Sequence, residues 1–118
     1  PKGNDKIVEV DPKIFRDAID RVSTISDGKS RAVKITVSGK SMIISASSAE
    51  AGSATEELEV NGDSSMEIGF NAKYLLDIAD QIATEGGCRL TLADAASPTI
   101  IQDNSDLSAL YVLMPLRV

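Results

Sequence analysis

"VDPKIFRDAIDRV" at residues 10–22 and "FNAKYLLDIADQI" at residues 70–82 read as one helix written twice. Each opens on a favourable N-cap residue, Asp11 or Asn71, and Pro12 stands at the first helical position of the first copy. A constant shift superimposes Lys13 on Lys73, Asp17 on Asp77 and Asp20 on Asp80. The apolar residues keep phase as well. Ile14, Phe15, Ala18, Ile19 and Val22 match Tyr74, Leu75, Ile78, Ala79 and Ile82, a spacing that gives each helix one apolar stripe.

The surroundings of the two helices repeat with them. KIVEV precedes the first and SMEIGF the second, while RAVKITV, MIISAS and ATEELEV follow one, and CRLTLAD, TIIQD and ALYVLMPL the other. Turn residues at Ser38-Gly39, Asn61-Gly62, Gly86-Gly87 and Asp103-Asn104 separate the runs. The order is β-α-β-β-β, twice, with repeats at about 5–60 and 65–118 in a single domain over residues 1–118. Two helices cannot cover both faces of some eight strands. The expectation is therefore an α+β fold, a pseudo-twofold repeat with both helices on one face of a mainly antiparallel sheet. The small-residue stretch SASSAEAGSA at 45–54 reads as a strand end running into a flexible loop.

Composition narrows the function. Histidine is absent, which removes the commonest general base, the triads built on it and ordinary zinc sites. No cofactor or metal is expected, and no enzyme active site. The aromatic residues are Phe15, Phe70, Tyr74 and Tyr111, too few for a base-stacking platform. The lone Cys88 lies in an apolar run and reads as an inert core residue in a reducing compartment. No run is long and apolar enough to span a bilayer. The net charge of −6 is uneven: residues 1–40 carry +3 and residues 41–118 carry −9, so a basic face is compatible with an acidic total. Two GKS triplets, at 28–30 and 39–41, lack the earlier glycine of a phosphate-binding loop. DNSD at 103–106 lacks the closing glutamate of a calcium loop and reads as a polar hairpin turn. Glu56, Glu57 and Glu59 flank Leu58 and Val60 on a strand, as a solvated face or one side of a charged contact.

The repeated β-α-β-β-β, the segment MEIGFNAKYLLDI and the ending YVLMPLRV together resemble the C-terminal third domain of the bacterial β sliding clamps, the processivity subunits of DNA polymerase III. The likeness spans the whole chain. It implies a cytoplasmic, nucleoid-associated protein without catalysis, and two further domains before Pro1. It also implies a head-to-tail homodimer closed around duplex DNA, with helices lining the hole and holding the duplex independently of sequence.

The resemblance assigns roles to residues by position. Lys13, Arg16, Arg21 and Lys73 lie off the apolar stripes and are expected to face DNA. Thr24, Ile25, Glu56 and Glu57 are expected at the subunit contact. Asn71, Tyr74, Ala96, Pro98, Val112, Met114, Pro115, Leu116 and Arg117 match the cleft into which polymerase, clamp loader and repair proteins insert a short glutamine-leucine-phenylalanine type peptide. Ala96 and Pro98 depart from the larger apolar and the small polar residue expected there. Val112 is also expected on the inward, core half of its strand.

Overall fold

In the computed structural model the described residues are 6–25, 32–48, 52–82 and 87–116, with residues 106–109 as backbone only. The elements run β1 (Lys6–Val10), α1 (Pro12–Ser23), β2 (Ala32–Ser38), β3 (Ser41–Ser48), β4 (Gly52–Glu59), β5 (Ser65–Asn71), α2 (Ala72–Gln81), β6 (Cys88–Leu92), β7 (Thr99–Asp103) and β8 (Asp106–Leu113). This is β-α-β-β-β twice, as the repeat predicts.

Both helices start as their sequences dictate. Asp11 Oδ1 accepts from the backbone N–H of Lys13 and Ile14 at 2.9 and 3.1 Å, and Asn71 Oδ1 accepts from Lys73 N–H at 2.9 Å. The apolar stripes, however, begin one residue later than expected. Phe15, Ala18, Ile19 and Val22 are buried, as are Leu75, Ala79 and Ile82, but Ile14 is 53% exposed and Tyr74 57%. Successive helical residues turn by about 100°, so a stripe centred on the later positions leaves its first member at the margin.

The strands form two four-stranded antiparallel sheets, in the orders β1-β6-β7-β8 and β4-β3-β2-β5, where a single sheet was expected. The leading strands are exchanged between repeats. β1 pairs with β6 of the second repeat, Val8 opposite Leu90, and β5 pairs with β2 of the first, Ile68 opposite Ile35. Strand periodicity predicts that a strand exists; it carries no information about which distant strand accepts its hydrogen bonds.

Two isolated bridges tie the sheets at their edges. Glu9 and Asn61 exchange backbone hydrogen bonds of 2.8 and 2.9 Å, and Leu116 N–H donates to Gly69 O at 2.8 Å. The bridges occupy corresponding places in the two repeats.

One core fills the interior. α1 packs over β2, β3 and β4, α2 over β5 and β8, and the helices lie side by side. Alternate strand residues point inward: Val33, Ile35 and Val37 on β2, Met42, Ile44 and Ala46 on β3, Cys88, Leu90 and Leu92 on β6.

The turns follow their chemistry. The second GKS is the β2–β3 hairpin, with Gly39 at φ 61°; the first lies outside the described residues. A Cβ added to Gly62 would meet Gly39 O at 3.1 Å, so these two turns pack backbone to backbone. DNSD is the β7–β8 turn, where Asp103 Oδ1 accepts from Ser105 N–H and Oγ–H at 2.8 and 2.6 Å. In the stretch 45–54, β3 continues to Ser48 and β4 begins at Gly52, and residues 49–51, where the loop was expected, lie outside the described residues.

Two outcomes test this packing. Phe15→Ala, emptying a fully buried site, should cost about 3–5 kcal/mol, whereas Ile14→Ala beside it should cost under about 1 kcal/mol, both read by denaturant unfolding. Burial pushes the Cys88 thiol up to about 12. At pH 8 a thiol reagent should therefore label it only as fast as the domain opens, and rapid labelling of the native protein would contradict the packing.

Candidate functional site

β8 alternates as a strand should, but in the opposite phase from that expected at Val112. Leu113 points inward and is buried, whereas Val112 is 52% exposed and Met114 61%. Val112 therefore lies on the outer half of the strand, not in the core. Regular pairing stops at Leu113, opposite Thr99. Two residues later Pro115 has no N–H to extend the ladder, and Leu116 fastens instead to Gly69 on the other sheet. The segment thus crosses from one sheet to the other directly beside the start of α2.

This crossing creates two hollows that share Pro115 and Leu116. The first, about 550 Å³, is bounded by Tyr74, Asp77 and Ile78 of α2 and by Val112 to Leu116, with Asn71 at its rim. The second, about 530 Å³, lies between Glu67–Gly69 of β5 and the Ala95–Ala96 turn. Asp94 shapes that turn. Its Oδ1 accepts from Ala96 N–H at 2.9 Å, and this bond, supported by Ser97, holds the carboxyl below the usual carboxylate range.

The expected cleft residues divide accordingly. Asn71, Tyr74, Val112, Met114, Pro115 and Leu116 meet in the first hollow; Ala96 joins Pro115 and Leu116 in the second. Pro98 lines neither of these hollows, and Arg117 lies outside the described residues. Asp77, Ile78 and Leu113 were missed on the first hollow. Tyr74, Asp77 and Ile78 share one helix face at i, i+3 and i+4, so the signal was present. Asn71 Oδ1 is engaged by the helix cap, and its carboxamide N–H groups are the donors it can offer a ligand.

A larger hollow, about 920 Å³, lies elsewhere, where the end of β1 meets the β2–β3 turn and the end of β4. It is the repeat-related counterpart of the apolar pair, since Glu9, Asp11 and Asn61 stand where Gly69, Asn71 and Leu116 stand in the second repeat. Its charged lining and the hydrogen bond from Asn104 Nδ2 to Glu9 at 2.7 Å make it polar. Size alone does not identify a peptide site; the exposed apolar side chains favour the smaller hollows.

The helical cations are arranged differently from a bare basic face. Lys13 Nζ lies 2.9 Å from Asp17. Arg16 Nε reaches Asp80 of α2 at 2.7 Å and its Nη1 reaches Asp17 at 3.2 Å. Hydrogen bonds from Lys13 and Arg16 hold the Asp17 carboxyl below its ordinary range. Arg21 makes a two-pronged contact with Glu56 of β4, at 2.6 and 2.7 Å, joining an expected DNA-facing residue to an expected interface residue. Lys73 makes no ion pair among the described residues.

The expected subunit contact gathers at the same edge. Thr24 ends α1, its Oγ1 donating to Arg21 O at 2.8 Å, and Ile25 packs partly on the core. Glu57 accepts from Ser41 Oγ at 2.7 Å. β4 is an outer strand of its sheet, so along most of its length one row of backbone groups has no partner strand among the described residues.

The profile of the family described as DNA polymerase III beta subunit, C-terminal domain, matches residues 1–117. This chain belongs to that family. The beta sliding clamp of Caulobacter vibrioides is 48% identical over 119 residues, an alignment covering all of this chain and 32% of the relative. That of Escherichia coli K12 is 36% identical with the same coverage. The crystal structure of the C. crescentus beta sliding clamp superimposes with a TM-score of 0.95 at 48% identity, covering the whole chain and 32% of that structure. A Bartonella birtlesii sliding clamp bound to griselimycin superimposes with a TM-score of 0.94 at 43% identity and the same coverage. The chain thus spans about a third of the length of these clamps, and it has their domain fold. Among the described residues, no helix is long and apolar enough to cross a membrane, and no group of acidic, cysteine or histidine side chains could hold a metal.

Proposed function

We propose that the chain serves as the C-terminal part of a non-catalytic ring that tethers DNA polymerase, clamp loader and repair proteins to duplex DNA. The observation that carries this reading is the set of large apolar side chains, Tyr74, Val112, Met114 and Leu116, left exposed around one hollow. Such a set is costly to leave in water and suits the leucine and phenylalanine side chains of a short linear peptide. Met114 supplies a contact that adapts to different sequences. Ala96 presents less apolar area than a larger residue would, and makes the second hollow the weaker subsite.

The helices supply the DNA-facing side, through Lys13, Arg16 and Lys73, with Arg21 drawn towards the edge strand. Phosphate contacts of this kind position a duplex without reading its sequence. The open edge of β4, with Thr24, Ile25, Glu56 and Glu57 around it, is the surface for the other subunit of a head-to-tail dimer. A domain resembling a third of each clamp subunit cannot encircle DNA alone. It should be monomeric in light scattering, and a tight symmetric dimer would overturn the interface assignment.

Two measurements test the rest. A short leucine- and phenylalanine-containing peptide should bind the chain at roughly millimolar strength, about 4 kcal/mol. Met114→Ala should weaken it about five- to tenfold, a loss of about 1–1.4 kcal/mol from forfeited apolar contact, with the melting temperature unchanged. Unchanged affinity with a melting point lowered by many degrees would make Met114 a core residue. Duplex binding by the isolated chain should be weak, salt-dependent and indifferent to sequence. Nanomolar binding to one particular duplex in physiological salt would overturn the tethering mechanism.

A further inference from the structure

We infer that Asp17 and Asp80 are affinity-limiting residues of the helical face: they occupy the arginine and lysine donors that duplex phosphates would otherwise take. The inference rests on the reading that this face meets DNA.

The geometry is specific about which donors are covered. A phosphate is gripped most firmly when two guanidinium N–H groups point at it together. On Arg16 the Nε is held by Asp80 at 2.7 Å and the Nη1 by Asp17 at 3.2 Å, so two separate carboxylates divide the fork. Lys13 is held by the other oxygen of Asp17 at 2.9 Å. One aspartate thus restrains two cations, and a second reaches across from the neighbouring helix to hold Arg16 on its Nε side.

Structural support is a poor explanation for this arrangement. Side chains on both sides of the Arg16–Asp80 contact are open to water, at 40% and 52% exposure, and exposed ion pairs add little to stability. Their larger consequence is competitive. A phosphate seeking a two-pronged grip on Arg16 must displace a carboxylate from Nε or Nη1, so that contact exchanges one anion for another and yields little net affinity. Contacts of that kind are made and lost easily as a duplex moves past, which is what a face that must slide requires.

The test is the salt dependence of binding between the chain and a short duplex, followed by NMR titration. Asp17→Asn/Asp80→Asn frees Lys13 and Arg16. Each freed cation should steepen the logarithmic salt slope by about 0.9, so the double variant should lose about tenfold more affinity than the parent between about 50 and 200 mM salt. Asp17→Asn alone, which leaves the interhelical contact in place, should show part of the effect if loss of Asp80 disturbs folding. Glu59→Gln on β4 makes the same change in net charge as Asp17→Asn alone, without releasing a helical cation, and should leave the slope near that of the parent. An unchanged slope in the double variant, or an equal effect from Glu59→Gln, overturns the inference. Lys13→Gln/Arg16→Gln/Lys73→Gln separates the two levels. If it abolishes binding while the aspartate variants change nothing, the DNA-facing reading stands and only the inference fails. If it leaves binding intact, both fall.

Discussion

The exchange of leading strands holds the rest of the structure in place. β1 and β5 each leave their own repeat to complete the other's sheet, so neither half of the sequence can close a four-stranded sheet alone. Each exchanged strand then forms a sheet edge, and each edge is fastened to the opposite sheet by a backbone bridge, Glu9 to Asn61 and Gly69 to Leu116. The second fastening sets the position of the apolar hollows. Met114 and Pro115 are the span between the last pair of β8 and the Gly69 carbonyl, and that span forms part of the wall.

The same constraint explains how so much apolar surface stays exposed in a stable domain. Phe15, Phe70, Ile68, Leu75 and Leu90 are all essentially inaccessible, and they supply a continuous core without Tyr74, Val112 or Met114. The exposed side chains are therefore free of packing duty. On the helical side the logic is electrostatic. The Arg16–Asp80 contact joins α1 and α2 while lying in water, and Arg21–Glu56 does the same between α1 and β4. Charges there are distributed so that no large unbalanced field remains.

Much of this was legible in the sequence, for definable reasons. Helix phase, N-caps and strand existence are local properties, and Asp11, Asn71 and the alternating Val33-Ile35-Val37 declare them. Partner choice in a sheet is not local, which is why two sheets looked like one. The phase error at Val112 has a similar origin. In ALYVLMPL nearly every residue is apolar, so alternation cannot be read from hydropathy, and only pairing with Thr99–Asp103 shows that Leu113 points inward. The ion pairs of Arg16 and Arg21 were equally hidden. Sequence places a charge on a helix face but does not reveal a carboxylate that arrives from α2 or β4.

The pseudo-symmetry also makes a controlled comparison within one molecule. Corresponding hollows lie at the two bridges, and their side chains have diverged. At the first, Glu9, Asp11, Lys40 and Glu59 surround the space, and Glu9 is drawn into hydrogen bonds with Asn104 and Arg89. At the second, glycine replaces the glutamate, and Pro115 and Leu116 stand where Val60 and Asn61 stand in the first. Removing the carboxylate takes away the strongest local reason for water to remain, and Leu116 adds surface that gains from being covered. The backbone crossing alone does not favour an apolar ligand. It does so only where the bridge is flanked by residues that water solvates poorly, and of the two bridges that condition holds at the second.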